Sequence, residues 1–394
     1  MYKIMSNNLT DIKAIEQIEG MARIFDNENM VIMPDYHAGK GCVVGTTMLI
    51  KDRVCPNHIG VDIGCGVYGY RIDKSEITFD ENKLKELDKI IRDFIPSGRN
   101  VCSEHDEVID EEIGRMLSDI RMPLSKEIID RASLSLGTLG GGNHFIELGE
   151  TKDSYYLFVH TGSRNLGVQV ATYYQRLAEN TCNEKINQRM VDMLPYVPKE
   201  SRQQFIDNYK NAHPIIPKEH CYLTGKEMQD YLHDMRIVQR YADNNRLRIL
   251  NTILFHLGMY MFYSDIIMTA HNYIDYNNIL RKGSISAYEG EKVLIPLNMR
   301  DGVILGTGKG NPDWNYSAPH GAGRIYSRRD AKADISMEDY RKSMEGIFST
   351  CVNENTLDES PMAYKPMDEI LSVIGDTVEI IDIIKPIYNF KAND

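Results

Sequence analysis

Asn57-His58-Ile59-Gly60-Val61-Asp62-Ile63-Gly64-Cys65-Gly66 sets one hard oxygen ligand, Asp62, three residues from one soft sulfur, Cys65. Gly60, Gly64 and Gly66 free the backbone to turn until both side chains converge. Taken alone the pair is ambiguous, because an Asp in a glycine-rich turn commonly caps that turn and a single Cys commonly behaves as a small buried hydrophobe. Apolar runs on either side, residues 42–50 and 66–72, predict strands, so the stretch reads as a loop at a strand end and as the floor of a site.

Working outward, the 394 residues suit two domains or one large α/β or α+β body. With 42% hydrophobic residues the chain can fill a substantial core. Its 57 acidic and 45 basic residues leave a net charge of −12, which excludes a protein that coats nucleic acid non-specifically. The seven cysteines, Cys42, Cys55, Cys65, Cys102, Cys182, Cys221 and Cys351, form no CxxC pair and fit a reduced, cytoplasmic compartment. Residues 1–20 mix charged and apolar side chains unlike a signal peptide, and no apolar run reaches membrane length.

No internal repeat or low-complexity linker divides the chain, so a single body over 1–394 is expected. Leu84, Leu87, Ile90, Ile91 and Phe94 share one helical face with Asp80 placed to cap it, and a second helix is predicted over 108–120. Residues 154–160 read as a strand ending on His160. The stretch at about 167–257 reads as a mostly helical insertion, an arm, with Thr224-x-x-Glu227 as a capping box and Arg236 and Arg240 one turn apart. Strands return at 292–297 and 302–307, and 376–391 alternates as a closing strand or short helix.

Four histidines sit in chemically suggestive phrases. His144 follows Gly140-Gly141-Gly142-Asn143, His160 ends its strand, His271 precedes Asn272, and His320 lies in Pro319-His320-Gly321-Ala322-Gly323-Arg324, where an imidazole beside an arginine suits phosphate chemistry. His105, His213, His220, His233 and His256 lack such surroundings and read as structural or surface residues. Gly306-Thr307-Gly308-Lys309-Gly310 is no P-loop, because Val303 and Gly310 stand where glycine and Ser or Thr are needed.

Asp62, Cys65, His144, His160, His271 and His320, with the phrases Pro34-Asp35-Tyr36-His37-Ala38-Gly39-Lys40-Gly41, Gly141-Gly142-Asn143-His144-Phe145-Ile146-Glu147 and His160-Thr161-Gly162-Ser163-Arg164, together resemble the RtcB-type RNA ligases. The matching phrases span nearly the whole chain in family order. The resemblance implies an α+β fold whose sheets surround a two-manganese centre. In it Cys65 bridges the ions, His160 and His271 complete one site, and Asp62 and His144 complete the other. It implies that His320 attacks GTP and carries GMP, which passes to an RNA 3′-phosphate, itself made from a 2′,3′-cyclic phosphate, before a 5′-hydroxyl displaces it. Asn143, Glu147, Asn272, Gly321, Ala322, Gly323, Tyr364 and Lys391 are expected to bind GTP, and Asp35, His37, Arg164 and Arg324 to handle RNA ends. Arg328, Arg329, Arg236 and Arg240 are further candidates for the RNA surface.

Two departures from the family pattern bear on specificity: Asn298-Met299-Arg300-Asp301-Gly302 replaces a Ser-Met-Gly-Thr phrase, and Ala318-Pro319 replaces polar residues before His320. Two other functions use the same residues. A metal-dependent phosphoesterase acting on cyclic phosphate ends needs the metals but not His320, and a silent RNA-binding relative needs neither. Protein partners are not legible in the sequence.

Overall fold

The strand expected at 66–72 runs Gly66–Asp73 and pairs antiparallel with Ser154–Thr161 on one side and Ile266–Ala270 on the other. It belongs to the computed structural model's larger sheet; residues 2–6, 11–25 and 29–392 are described. The seven strands run in the order Lys292–Asn298, Gly302–Gly308, Val378–Lys391, Phe145–Glu150, Ser154–Thr161, Gly66–Asp73, Ile266–Ala270. Close packing explains a glycine in mid-strand: a Cβ on Gly69 would lie 2.7 Å from the Phe158 ring. The C-terminal alternation predicted as strand or short helix is a strand, Val378–Lys391, held between two others.

A second sheet orders Tyr2–Ile4, Met30–His37, Val44–Leu49, Ile279–Lys282 and Asn272–Ile274. Beside it Ser284–Ser286 pairs with Ser317–Pro319, with Ser284 opposite Pro319. The fold is thus α+β, as expected.

Helix Glu81–Phe94 is capped as its sequence predicts, Asp80 accepting from the Lys83 N–H. Leu84, Leu87 and Ile91 are buried with the large sheet's side chains, each contributing ~1.5–3 kcal/mol. The helix predicted over 108–120 spans Glu107–Leu117 under an Asp106 cap. The helical stretch comprises Arg164–Met193, Arg202–Ala212 and Gly225–His256. Much of it is core: the last helix buries Tyr231, Met235, Val238, Tyr241, Ile249 and Ile253. The capping box does not form: Thr224 stands at the N-cap and pairs with Arg53 in a short ladder, but its side chain makes no cap hydrogen bond. At the N-terminus Ile12–Ile24 is a helix capped by Asp11; residues 1 and 7–10 of the segment discussed above lie outside the described residues. No helix among the described residues is long and apolar enough to cross a membrane.

Candidate metal and nucleotide site

Antiparallel pairing carries the ligand candidates to one end of four adjacent strands. His144 immediately precedes Phe145–Glu150, His160 lies in register between Phe145 and Val67, Cys65 immediately precedes Gly66–Asp73, and His271 follows Ile266–Ala270. The loop carrying Asp62 is tied in by Gly64 N–H to Asn272 O (2.8 Å), and His271 N–H donates to Cys65 O (2.9 Å).

The side chains form two triads that share Cys65. Cys65, His160 and His271 are all buried, and Asp62, Cys65 and His144 make the second group, the ligand atoms of each lying within 4.8 Å of one another. Cys65 Sγ lies 3.3 Å from His160 Nε2 and 3.5 Å from His144 Nε2; His160 Nε2 lies 3.4 Å from His271 Nε2, and His144 Nε2 3.1 Å from Asp62 Oδ2.

The donor set passes a chemical test for cations. His144 Nδ1 sits 2.9 Å from Leu139 O and His160 Nδ1 3.2 Å from Asn143 O, so each Nδ1–H donates to a carbonyl and each Nε2 turns a lone pair inward. Lone pairs converging with a sulfur and a carboxylate suit metal ions. Burial, then neighbouring imidazoles, pushes His160 and His271 well below the usual histidine range, keeping them neutral ligands. Burial opposes charge on Asp62, but its imidazole neighbours, His144 foremost and then His160, outweigh it and hold the carboxyl below its usual range. Burial, with Asp62 adding to it, raises the Cys65 thiol well above its usual value, so metal binding would release its proton.

Two further residues support this cluster. Arg246, fully buried, donates from Nη1 to Gly64 O (2.7 Å) and Thr161 O (2.6 Å), clamping the Cys65 loop to the His160 strand. Gly162 makes room for a ligand, since a Cβ there would lie 2.1 Å from Asp62 Oδ1.

On the other side of His160 and His271 opens a cavity of about 880 Å³. His320 stands at its wall, its ring centroid 4.8 Å from that of His271. Asp35 Oδ2 accepts from His320 Nδ1 (2.6 Å) and from the His320 N–H (3.1 Å). Asp35 is completely buried, so its carboxylate orients the imidazole and leaves the Nε2 lone pair for chemistry. The approach of the two loops requires glycine at 323, where φ is +76° and a Cβ would meet Asp35 O at 2.2 Å. Ala318 and Pro319 serve this placement as the strand that delivers His320.

The far end of the cavity is a network of buried charge. Glu359 binds Lys391 Nζ (2.9 Å), Arg324 Nη1 (3.1 Å), Arg328 Nη1 (2.7 Å) and the Tyr364 hydroxyl (2.7 Å). Burial works against its ionisation, but Lys391, Arg328 and Arg324 outweigh it and lower its pKa to about 2. Glu147, also in the cavity wall, accepts from Asn389 Nδ2 (2.8 Å), and burial raises its pKa to about 8.

Of the expected nucleotide residues, Asn143, Glu147, Gly321, Ala322, Gly323, Tyr364 and Lys391 line this cavity. Asn272 does not: its amide is spent on Asp62 O (3.2 Å) and the Gly283 N–H (3.1 Å), making it a brace for the loop that carries Asp62. Among the residues expected at RNA ends, His37 and Arg324 line the cavity, His37 pushed down to about 4 by burial. Asp35 lies behind His320, and Arg164 donates to Thr138 Oγ1 and Gly98 O (both 3.0 Å) beside the His144 loop. Asn298 and Met299 reach the cavity from a self-capped turn in which Asn298 Oδ1 accepts from the Arg300 and Asp301 N–H groups. Glu359 escaped the sequence reading because it lies in a 3₁₀ turn with no glycine or histidine near it.

A family model described as "tRNA-splicing ligase RtcB" matches residues 17–392. Similar proteins include RNA-splicing ligase RtcB1 of Escherichia coli, 28% identical over 96% of this chain and 94% of that protein. The tRNA-splicing ligases RtcB of Aeropyrum pernix (27% identical; 87% and 83%) and Thermococcus kodakarensis (26%; 88% and 83%) are also similar.

Proposed function

The chain belongs to the RtcB family, and on that premise we propose that it is a GTP-dependent RNA ligase. It joins 3′-phosphate or 2′,3′-cyclic phosphate ends to 5′-hydroxyl ends in RNA repair or tRNA splicing. The observation that carries this reading is His320, held through Nδ1 by buried Asp35 at the wall of a large cavity and packed beside the metal-ligand pair His160–His271.

Neutral His320 Nε2 attacks the α-phosphorus of GTP; an N–P bond forms, the bond to the bridging oxygen breaks, and pyrophosphate leaves. Asp35 faces the Nδ1–H and stabilises the imidazolium that develops. Glu147, Tyr364 and Lys391 receive the guanine end, and Asn143 with Gly321, Ala322 and Gly323 the phosphates. Two Mn²⁺ ions, one with Cys65, His160 and His271 and the other with Asp62, Cys65 and His144, would supply positive charge beside the transferring phosphorus. GMP then passes to the RNA 3′-phosphate, the 5′-hydroxyl attacks that phosphorus, and GMP departs. A phosphoesterase on cyclic ends has no use for a carboxylate-oriented histidine in the nucleotide cavity, which favours the ligase. Seven cysteines, all free, fit a reducing cytoplasm.

The test supplies GTP, Mn²⁺ and two RNA fragments, one ending in 3′-phosphate and one beginning with 5′-hydroxyl. A joined product is expected. Joining that demands a 5′-phosphate instead would overturn the proposal.

A further inference from the structure

The metal centre has a second face. Asp62, Cys65 and His144 do not line the nucleotide cavity, yet the Asp62 side chain is 33% exposed and Val61 beside it is exposed. What borders this outer face is a hairpin, Asn272–Ile274 paired with Ile279–Lys282, that springs from metal ligand His271 and returns to Gly283. The Gly283 N–H donates to His271 O (2.6 Å), so both feet of the hairpin are anchored at the ligand.

At its tip Tyr276 is 86% exposed. An aromatic ring that exposed usually marks a loose loop, but this turn is fully tied down. Asp275 Oδ1 accepts from the Asn277 and Ile279 N–H groups (both 2.9 Å), and Asp275 Oδ2 is held by Arg281 (2.7 Å) and the Tyr288 hydroxyl (2.9 Å). Asn277 Nδ2 donates to that hydroxyl (2.8 Å), and Asn278 adopts φ +60° to close the turn. The platform is rigid before any ligand arrives, which lowers the entropy lost on binding.

Helix Gly225–His256 runs beside it. The Arg236 guanidinium lies 5.0 Å from the Tyr276 ring centroid, and Arg236 Nε is buried without a hydrogen-bond partner. One turn on, Arg240 is exposed, and its side chain makes no ion pair or hydrogen bond to any described residue. Between them Gln239 packs on the metal-ligand loop, its Cα 3.0 Å from where a Cβ on Gly64 would stand. A rigid aromatic face backed by one guanidinium and flanked by another suits a nucleobase with its phosphate.

We propose that Tyr276, Arg236 and Arg240 form a binding site for single-stranded RNA, stacking a base near the end to be joined on the Asp62 side of the metal centre, with the terminal 3′-phosphate continuing past the centre toward His320. The inference rests on the RNA-ligase reading and gives that reading an entry path for its polyanionic substrate. Stacking on tyrosine tolerates any base, so the site is sequence-independent.

The test measures binding of a short fluorescent RNA with a 3′-phosphate to the full chain, together with attachment of labelled GMP, which needs no RNA. Tyr276→Ala is expected to weaken RNA binding roughly five- to a hundredfold, the range of one lost base stack, while Tyr276→Phe retains it. Arg240→Glu is expected to weaken binding and lower the salt slope by about 0.7. GMP attachment should be unchanged in all three. Wild-type RNA affinity in both Tyr276→Ala and Arg240→Glu, with GMP attachment intact, overturns the site and leaves the ligase reading standing. A change of oligomeric state in Tyr276→Ala without loss of RNA affinity also overturns it, assigning the surface to a second copy. Absence of GMP attachment in the unsubstituted protein is instead a failure of the ligase reading.

Discussion

Glu147→Gln exchanges a buried acid for its neutral isostere in the nucleotide cavity, and the structure predicts that the variant is the more stable protein at neutral pH. Burial raises the Glu147 pKa from its ordinary 4.5 to about 8. Both Glu147 Oε1 and Asn389 Oδ1 are buried acceptors without a partner, so a proton on Glu147 supplies a donor that both lack. The folded protein therefore keeps a proton that the unfolded chain loses between these two pKa values. Because the unfolded state binds fewer protons there, stability falls as pH rises through this window, and below pH 4.5, where both states hold the proton, none of it is lost. From 4.5 to pH 7 the loss is about 3 kcal/mol at 1.36 kcal/mol per unit. Glutamine cannot ionise, so urea unfolding of the nucleotide-free protein between pH 5 and 8.5 should show a midpoint difference in favour of Glu147→Gln that grows with pH. The same substitution should weaken GTP binding, because the two guanine donors are matched by a carboxylate, which Glu147 can become on binding and glutamine cannot. Parallel pH profiles for the two proteins would refute the reasoning, since they would mean that Glu147 is already ionised in its pocket.

Three further outcomes follow from the same geometry. Cys65→Ala should empty both metal sites, whereas His144→Ala should leave the Cys65–His160–His271 site at least partly filled; metal analysis at equal, full occupancy in Cys65→Ala would exclude a shared thiolate. Gly162→Ala drives a methyl into Asp62 Oδ1, so affinity at the Asp62–Cys65–His144 site should fall about 10- to 100-fold while the other triad holds its ion, as a metal titration would reveal. Asp35→Asn replaces the acceptor for His320 Nδ1–H, and the rate of GMP attachment should fall about 10²- to 10⁴-fold with metal content unchanged; an unaltered rate measured by radiolabel incorporation would remove Asp35 from the mechanism.

The buried Asp/Cys/His cluster was legible because Asp62, Cys65, His144 and His160 sit in short phrases with glycine close by, and because the apolar runs that carry His160 and His271 end at those histidines. The positions of Asp62, Cys65, His144, His160 and His271 at one end of the sheet then follow from antiparallel pairing. What the sequence could not disclose were partnerships between distant segments. Asp35 reads as a candidate for RNA ends, yet its carboxylate faces a histidine 285 residues away. The family resemblance implies that Asn272 binds nucleotide, but burial obliges its amide to satisfy backbone groups of two loops. Glu359 and Arg246 carry no local pattern at all: one is an acid in a 3₁₀ turn, the other an arginine on a buried helix face, and only the packed structure gives each its partners. The capping box at Thr224 misled as well: the residue stands at the N-cap and pairs with Arg53, but its side chain makes no cap hydrogen bond.

If His320 carries the nucleotide, the GMP adduct maps to that side chain. The protein is incubated with GTP and Mn²⁺ without RNA, digested, and its peptides sequenced by mass spectrometry. One GMP is expected on His320, labile to acid as a phosphoramidate is, and none in His320→Ala, whose metal content is unchanged. GMP attached to Lys365 or Lys391, which line the same cavity, or joining of RNA ends by His320→Ala, would contradict that assignment.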